Sequence, residues 1–118
     1  MYPPRLIDHF QNPRNVGDLD PPAVALEVSN PACGDILRLS ARLESGKVAE
    51  ARYKVRGCTA SIAAGSALTE WLAGKNREEI AAFQPALIDD ALGGLPNESK
   101  HAAALCADAV KMLLKRWV

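Results

Sequence analysis

Residues 37–56, LRLSARLESGKVAEARYKVR, decide the fold of this 118-residue chain. From Leu37 to Leu43 every second residue is apolar, which is the period of a strand with one buried face. Residues 44–47 predict a hairpin turn, because Gly46 can adopt a positive φ there. A second alternating run ends near Arg56. The stretch therefore predicts two antiparallel strands.

The flanking sequence adds one strand and a series of helices. Residues 24–29 alternate in the same way and predict the first strand. Helices are predicted from the paired prolines to residue 12 and over residues 59–73, 77–83 and 86–92. The last helix is predicted to begin with Asn97 or Ser99 as its N-cap. Residues 1–118 thus predict a single α+β domain, with a three-stranded antiparallel sheet and about five helices packed mainly on one face.

Composition excludes several classes of function. Fourteen basic residues balance fourteen acidic ones, and no five like charges occur in a row, so neither nucleic acid nor an anionic membrane is expected as a partner. No apolar run reaches the roughly 18–20 residues that span a bilayer. No secretory segment is visible at the start, so we expect a cytoplasmic protein. The odd count of three cysteines then favours reduced thiols that serve a metal or a reaction.

Four residues with metal-binding side chains fall at the ends of predicted elements. Cys33 and Asp35 lie in the turn before the second strand, Cys58 lies between the third strand and a helix, and His101 lies in the first turn of the last helix. Side chains from distant parts of a chain often meet at such ends. Thiolate, imidazole and carboxylate are ligands for zinc and iron, and a helix start favours the thiolate. These residues are the candidate metal site.

Each candidate also has a structural interpretation. Cys58 can fill space behind Gly57, Asp35 can bond to its own turn, and His101 can be a surface or capping residue. Cys106 lies on the apolar stripe of the last helix, as a small core residue would. A thiol enzyme, with Cys58 as nucleophile and His101 as base, is a further alternative, although no oxyanion or substrate pocket is visible in the sequence.

Two other polar features are interpreted as structural. His9 lies on the first predicted helix and is interpreted as a packing residue. Arg52, Lys54 and Arg56 alternate along the third strand and predict a solvated sheet face, with partner docking as the alternative.

The chain as a whole resembles the IscU/NifU-type iron–sulfur cluster assembly scaffolds. The similar segments, in chain order, are 7–17 (IDHFxNPRNxG), 31–35 (PACGD), 51–58 (ARYxxxGC), 60–63 (ASIA), 69–71 (TEW), 74–75 (GK), 92–96 (LGGLP), His101 and 107–109 (ADA). They cover nearly the whole chain in the right order, and this order makes the resemblance specific.

The resemblance implies a site and a function. Cys33, Asp35, Cys58 and His101 would surround one exposed site, where a labile 2Fe–2S cluster is built from iron and from sulfur delivered by a cysteine desulfurase. The cluster would then pass to apo iron–sulfur acceptor proteins. Zinc can occupy the same site in such proteins. The resemblance implies a scaffold and not an enzyme, because the scaffold turns over no small substrate.

The chain departs from the family at one ligand position. Family members place a third cysteine directly after the histidine, as a cluster ligand and sulfur acceptor, and here that residue is Ala102. Cys106 is a possible substitute, one helical turn or roughly 6 Å further along the axis. The Leu-Pro-Pro-Val-Lys chaperone segment is reduced to its beginning in residues 95–100. The alternative function is therefore a degenerate zinc-binding family member that binds or regulates the desulfurase without assembling clusters.

Overall fold

A computed structural model describes residues 2–31 and 34–117. These residues form three strands, five α-helices and one short 3₁₀ helix. In chain order these are α1 (Pro4–Gln11), β1 (Val24–Ser29), β2 (Ile36–Glu44), β3 (Lys47–Arg56), α2 (Thr59–Leu72), α3 (Arg77–Ala81), α4 (Pro85–Ala91), the 3₁₀ helix (Asn97–Ser99) and α5 (His101–Arg116).

The sheet is antiparallel and has the order β1-β2-β3. At its centre Leu39 pairs with Leu26 on one side and with Tyr53 on the other. All three side chains are buried, as the alternation of apolar residues predicts. The hairpin between β2 and β3 turns at Ser45 and Gly46, whose φ angles are 53° and 76°. The predicted strands and hairpin are confirmed.

The helices cover one face of this sheet. Helix α2 packs on β3, and α5 packs on β1 and β2. The small residues of α2 allow a close approach, since a Cβ atom on Gly65 would lie 2.4 Å from the ring of Tyr53. Buried apolar side chains from both layers form one core cluster. The α+β class and the packing of helices on one face are confirmed.

The connector after α1 covers the outer edge of β3. The N–H of Tyr53 donates to the carbonyl of Asn15, and the N–H of Gly17 donates to the carbonyl of Tyr53, both at 2.9 Å.

Two basic residues of the open sheet face are ion-paired nearby. Arg52 contacts Glu50 at 2.7 Å, and the Lys54 amine lies 3.1 Å from the carboxylate of Asp18. Exposed ion pairs of this kind are typical of a solvated face, which supports that interpretation.

The predicted start of the last helix is wrong. Asn97 and Ser99 form a 3₁₀ helix without a side-chain cap, and α5 begins at His101 after Lys100, whose backbone is already helical. The segment is held from another element, since the carboxylate of Asp89 accepts a 2.5 Å hydrogen bond from the Leu95 N–H and pairs with Lys100 at 3.2 Å. Asp89 lies in α4, so this contact holds the segment before α5 against α4.

Among the helices in the described part of the chain, none has the length and apolar character needed to cross a membrane.

Candidate metal site

The strand register brings two candidate loops together. Ile36, the first residue of β2, pairs with Arg56, the last residue of β3. Asp35 and Gly57 are their direct neighbours in the chain, so they lie side by side at one end of the sheet. A Cβ atom on Gly57 would lie 2.5 Å from the carboxyl carbon of Asp35. Only glycine allows the carboxylate to pack against the backbone this closely.

The starts of two helices complete the site. Cys58 is the N-cap residue of α2, and its backbone N–H donates to Oδ1 of Asp35 at 3.3 Å. His101 is the first residue of α5, which packs against α2. Three elements that are distant in sequence therefore direct one side chain each to the same edge of the fold.

The three side chains present three different donor atoms to one point. Sγ of Cys58 lies 3.2 Å from Oδ2 of Asp35 and 3.5 Å from Nε2 of His101. Nε2 of His101 lies 3.3 Å from the same carboxylate oxygen. Within residues 2–31 and 34–117, this is the one group of three or more such donors close enough to share an ion, all within 4.8 Å of one another. One sulfur, one nitrogen and one oxygen suit zinc or iron and leave a fourth position open.

Cys33 was predicted as the remaining member of this site. It lies outside the described residues, and its place in the site stays a prediction.

Hydrogen bonds keep the carboxylate of the site charged. Burial opposes the charge on Asp35, which is 5 % exposed, but hydrogen bonds from Ser61 and from Cys58 outweigh it. Together with the nearby ring of His101, they hold the pKa of Asp35 below its ordinary value. The carboxylate is therefore available as an anionic ligand at neutral pH.

Sequence reasoning missed Ser61. Its Oγ lies 2.5 Å from Oδ2 of Asp35 and 3.4 Å from Sγ of Cys58, and the residue is buried. The signal that could have found it is its spacing, since Ser61 is three residues after Cys58, and residues three apart share a helix face.

The structure does not bring Cys106 to the site. Cys106 is 1 % exposed and belongs to the hydrophobic core, where burial raises the pKa of its thiol to about 12. The physical reason is that Cys106 lies on the face of α5 that packs inward, whereas His101 at the helix start is half-buried. The prediction that Cys106 substitutes for the missing ligand is not supported. Its interpretation as a small core residue is correct. Ala102 is also fully buried and offers no donor.

Comparison with known proteins gives a consistent family. Residues 1–118 match the NifU-like N-terminal domain. The scaffold protein IscU 1 of Archaeoglobus fulgidus, named for iron–sulfur cluster assembly, is 37 % identical over 111 residues, which cover 94 % of this chain and 72 % of that protein. The IscU scaffold of Azotobacter vinelandii is 38 % identical over 120 residues, covering 98 % and 93 %.

A solved structure shares the fold. It is described as a candidate iron–sulfur cluster assembly scaffold for the SUF system of Fervidobacterium islandicum. It superposes with a TM-score of 0.75 at 17 % identity, over 96 % of both chains.

Proposed function

The chain belongs to the NifU-like N-terminal domain family, and we propose that it is a scaffold or carrier for iron–sulfur cluster assembly. In this role it binds iron and a labile 2Fe–2S cluster at the edge of the sheet. The cluster is cargo, and the chain turns over no small-molecule substrate.

One observation supports this proposal most directly. Asp35, Cys58 and His101 come from three separate element ends, yet their donor atoms lie within 4.8 Å of one another. Thiolate is the usual ligand of iron–sulfur clusters, and imidazole can replace it. Cys33 is proposed as the second thiolate ligand. A carboxylate binds iron less tightly than a thiolate, so Asp35 would keep the cluster labile enough for transfer.

The proposed partners follow from the cargo. Sulfur comes from a cysteine desulfurase, and the finished cluster passes to apo iron–sulfur proteins. Cys58 is half-buried, so its sulfur is partly open to a donor.

Anaerobic reconstitution tests the proposal. The protein is incubated with ferrous iron, cysteine and a cysteine desulfurase, and its visible absorption and its iron and sulfide contents are measured. We expect sulfur-to-iron charge-transfer bands and about two irons per cluster. A protein that takes up neither iron nor sulfide under these conditions is not a scaffold.

Matched cysteine variants locate the cluster. Cys58→Ala is expected to abolish cluster formation, and Cys33→Ala is expected to do the same if that residue is the second thiolate. Cys106→Ala is the control, because it removes a thiol from the core and none from the site. Loss of the cluster in the control variant alone would contradict the proposed ligand set.

A second function is favoured by Ala102. With a methyl group in place of the family's third thiol, the site keeps donors that suit one zinc ion. In this case the chain holds zinc and binds or regulates the desulfurase without assembling clusters. Metal analysis of protein purified without chelator would show about one zinc per chain. The desulfurase would bind the zinc form, yet reconstitution would yield no cluster. The Ala102→Cys variant separates the two functions, because only the degenerate form should gain cluster formation from the added thiol.

A further inference from the structure

The hydroxyl group of Ser61 faces the carboxylate oxygen on which the candidate site converges. Oδ2 of Asp35 lies 3.2 Å from Sγ of Cys58 and 3.3 Å from Nε2 of His101, and Ser61 donates to this same oxygen. Ser61 is 2 % exposed, so its hydroxyl has little freedom to turn to solvent.

Two hydrogen bonds and the close packing against Gly57 fix the carboxylate of Asp35. Its Oδ1 accepts the backbone N–H of Cys58, and its Oδ2 accepts the hydroxyl of Ser61. The bare Cα of Gly57 leaves the space that the carboxylate occupies. An aspartate carboxylate otherwise rotates broadly about its last torsion angle, so these contacts select one orientation.

The hydroxyl group of Ser61 has two hydrogen-bond partners, the carboxylate of Asp35, to which it donates, and the thiol of Cys58, which donates to it. The oxygen–oxygen distance is 2.5 Å, whereas the distance to Sγ of Cys58 is 3.4 Å. Charge-assisted hydrogen bonds between a hydroxyl and a carboxylate are the shorter and stronger kind. The proton therefore belongs to the bond with Asp35. Oδ2 also accepts a hydrogen bond from the Cys58 thiol at 3.2 Å, so its other lone pair faces the point where the donor atoms meet and becomes available to a metal ion when that thiol loses its proton.

We propose that Ser61 is a positioning residue, which fixes the carboxylate of Asp35 toward Cys58 and His101 and thereby sets the affinity of the site for a divalent metal ion. The inference rests on the proposed function of this site. It assigns a role to a side chain that is not itself a ligand. Hydrogen bonds that orient a ligand in this way typically change metal affinity by 10–100-fold.

The test is a cobalt titration, since cobalt reports both affinity and coordination. The dissociation constant is measured by chelator competition for the wild type, Ser61→Ala, Asp35→Ala and the double variant. Ser61→Ala is expected to weaken binding about tenfold. Its thiolate-to-cobalt band should remain, because Cys58 still binds, while the ligand-field bands shift as the carboxylate loses its orientation. In the Asp35→Ala background, Ser61→Ala should have no further effect.

Two controls separate positioning from folding. Ser61→Thr keeps the hydroxyl and is expected to retain wild-type affinity. Ser66→Ala removes another buried hydroxyl from the same helix, one that contacts His9 and Arg14. It should lower stability and leave the cobalt affinity unchanged.

The outcomes are distinct. If Ser61→Ala binds cobalt as tightly as the wild type, or if it weakens binding equally in the wild-type and Asp35→Ala backgrounds, the role of Ser61 is overturned. The metal site itself is then unaffected. A wild-type protein that binds no cobalt overturns the metal site itself, and the role of Ser61 with it.

Discussion

Nδ1 of His9 lies 2.8 Å from Oγ of Ser66, across 57 residues of sequence. The same Oγ accepts the backbone N–H of Arg14 at 2.9 Å, and the other ring nitrogen of His9 lies 3.6 Å from the carboxylate of Glu70. Segment 7–17 therefore binds α1 to α2, the helix that follows Cys58. His9 is a packing residue, as the sequence interpretation has it, and its role is to hold α2 in place.

This contact predicts a pH-dependent stability. Burial, followed by the charge of Arg14, lowers the pKa of His9 below its ordinary 6.5, although Glu70 and Asp8 act in the opposite direction. Well above pH 6.5 both the folded and the unfolded chain carry neutral His9, and the contribution is complete. As the pH falls below 6.5, the unfolded chain takes up the proton first, so the free energy of unfolding decreases until the folded pKa is passed.

Urea unfolding between pH 8 and pH 5 measures this effect. His9→Asn, which keeps a polar atom near Ser66, is expected to be less stable than the wild type at pH 8 and to show a flatter pH profile. The difference in slope cannot exceed about 1.4 kcal/mol per pH unit, the value for one proton. Parallel profiles would mean that other groups carry the pH dependence.

Cys106 is predicted to be unreactive in the folded protein. Because burial raises its pKa to about 12, the thiol is almost entirely un-ionised at pH 8. Iodoacetamide should therefore label Cys58 in the native protein and reach Cys106 only after unfolding, as read by mass spectrometry of peptides. Rapid native labelling of Cys106 would show that the core around α5 opens.

The sequence predicts the sheet well and the site only in part. The strands of residues 37–56 are visible because alternation is a local property that one hairpin displays completely. The start of α5 is not visible, since no side chain caps it and Asp89 holds the preceding segment through contacts with Leu95 and Lys100. The position of the candidate ligands at the ends of strands and helices suggests only that such ends meet. The family resemblance indicates which of these residues form the site.

The contact between Ser61 and Asp35 could not be predicted from the sequence pattern. Residues 59–73 are rich in alanine, serine and glycine, and apart from its spacing of three residues from Cys58 nothing local separates this serine from Ser66. The role of Ser61 depends on Asp35, which lies 26 residues earlier in the chain and is brought close by the register of β2 and β3. A contact of that kind is determined by the tertiary structure.

Zinc is predicted to raise the thermal stability of this chain. An ion that binds only the folded state adds about 2.7 kcal/mol when present at one hundred times its dissociation constant. For a chain of this size that is a rise of roughly 10 °C in Tm, reversed by EDTA. Cys58→Ala should remove the shift. Cys106→Ala should show the same zinc-induced rise in Tm, although its Tm without zinc is lower than that of the wild type. Differential scanning calorimetry measures the Tm of the three proteins. The same shift in all three would place zinc at another site.

Gly57 is predicted to be necessary for the site and tolerable for the fold. In Gly57→Ala the new methyl group would lie 2.5 Å from the carboxyl carbon and from Oδ1 of Asp35, so the carboxylate must move away from Cys58 and His101. We expect cobalt affinity to fall at least about tenfold, as for other losses of ligand orientation. Gly65→Ala is the matched control, because its methyl group would meet the ring of Tyr53 at 2.4 Å. It should lower the free energy of unfolding, measured by urea, and leave cobalt affinity unchanged. Equal affinities in wild type and Gly57→Ala would show that Asp35 does not need this orientation to bind metal.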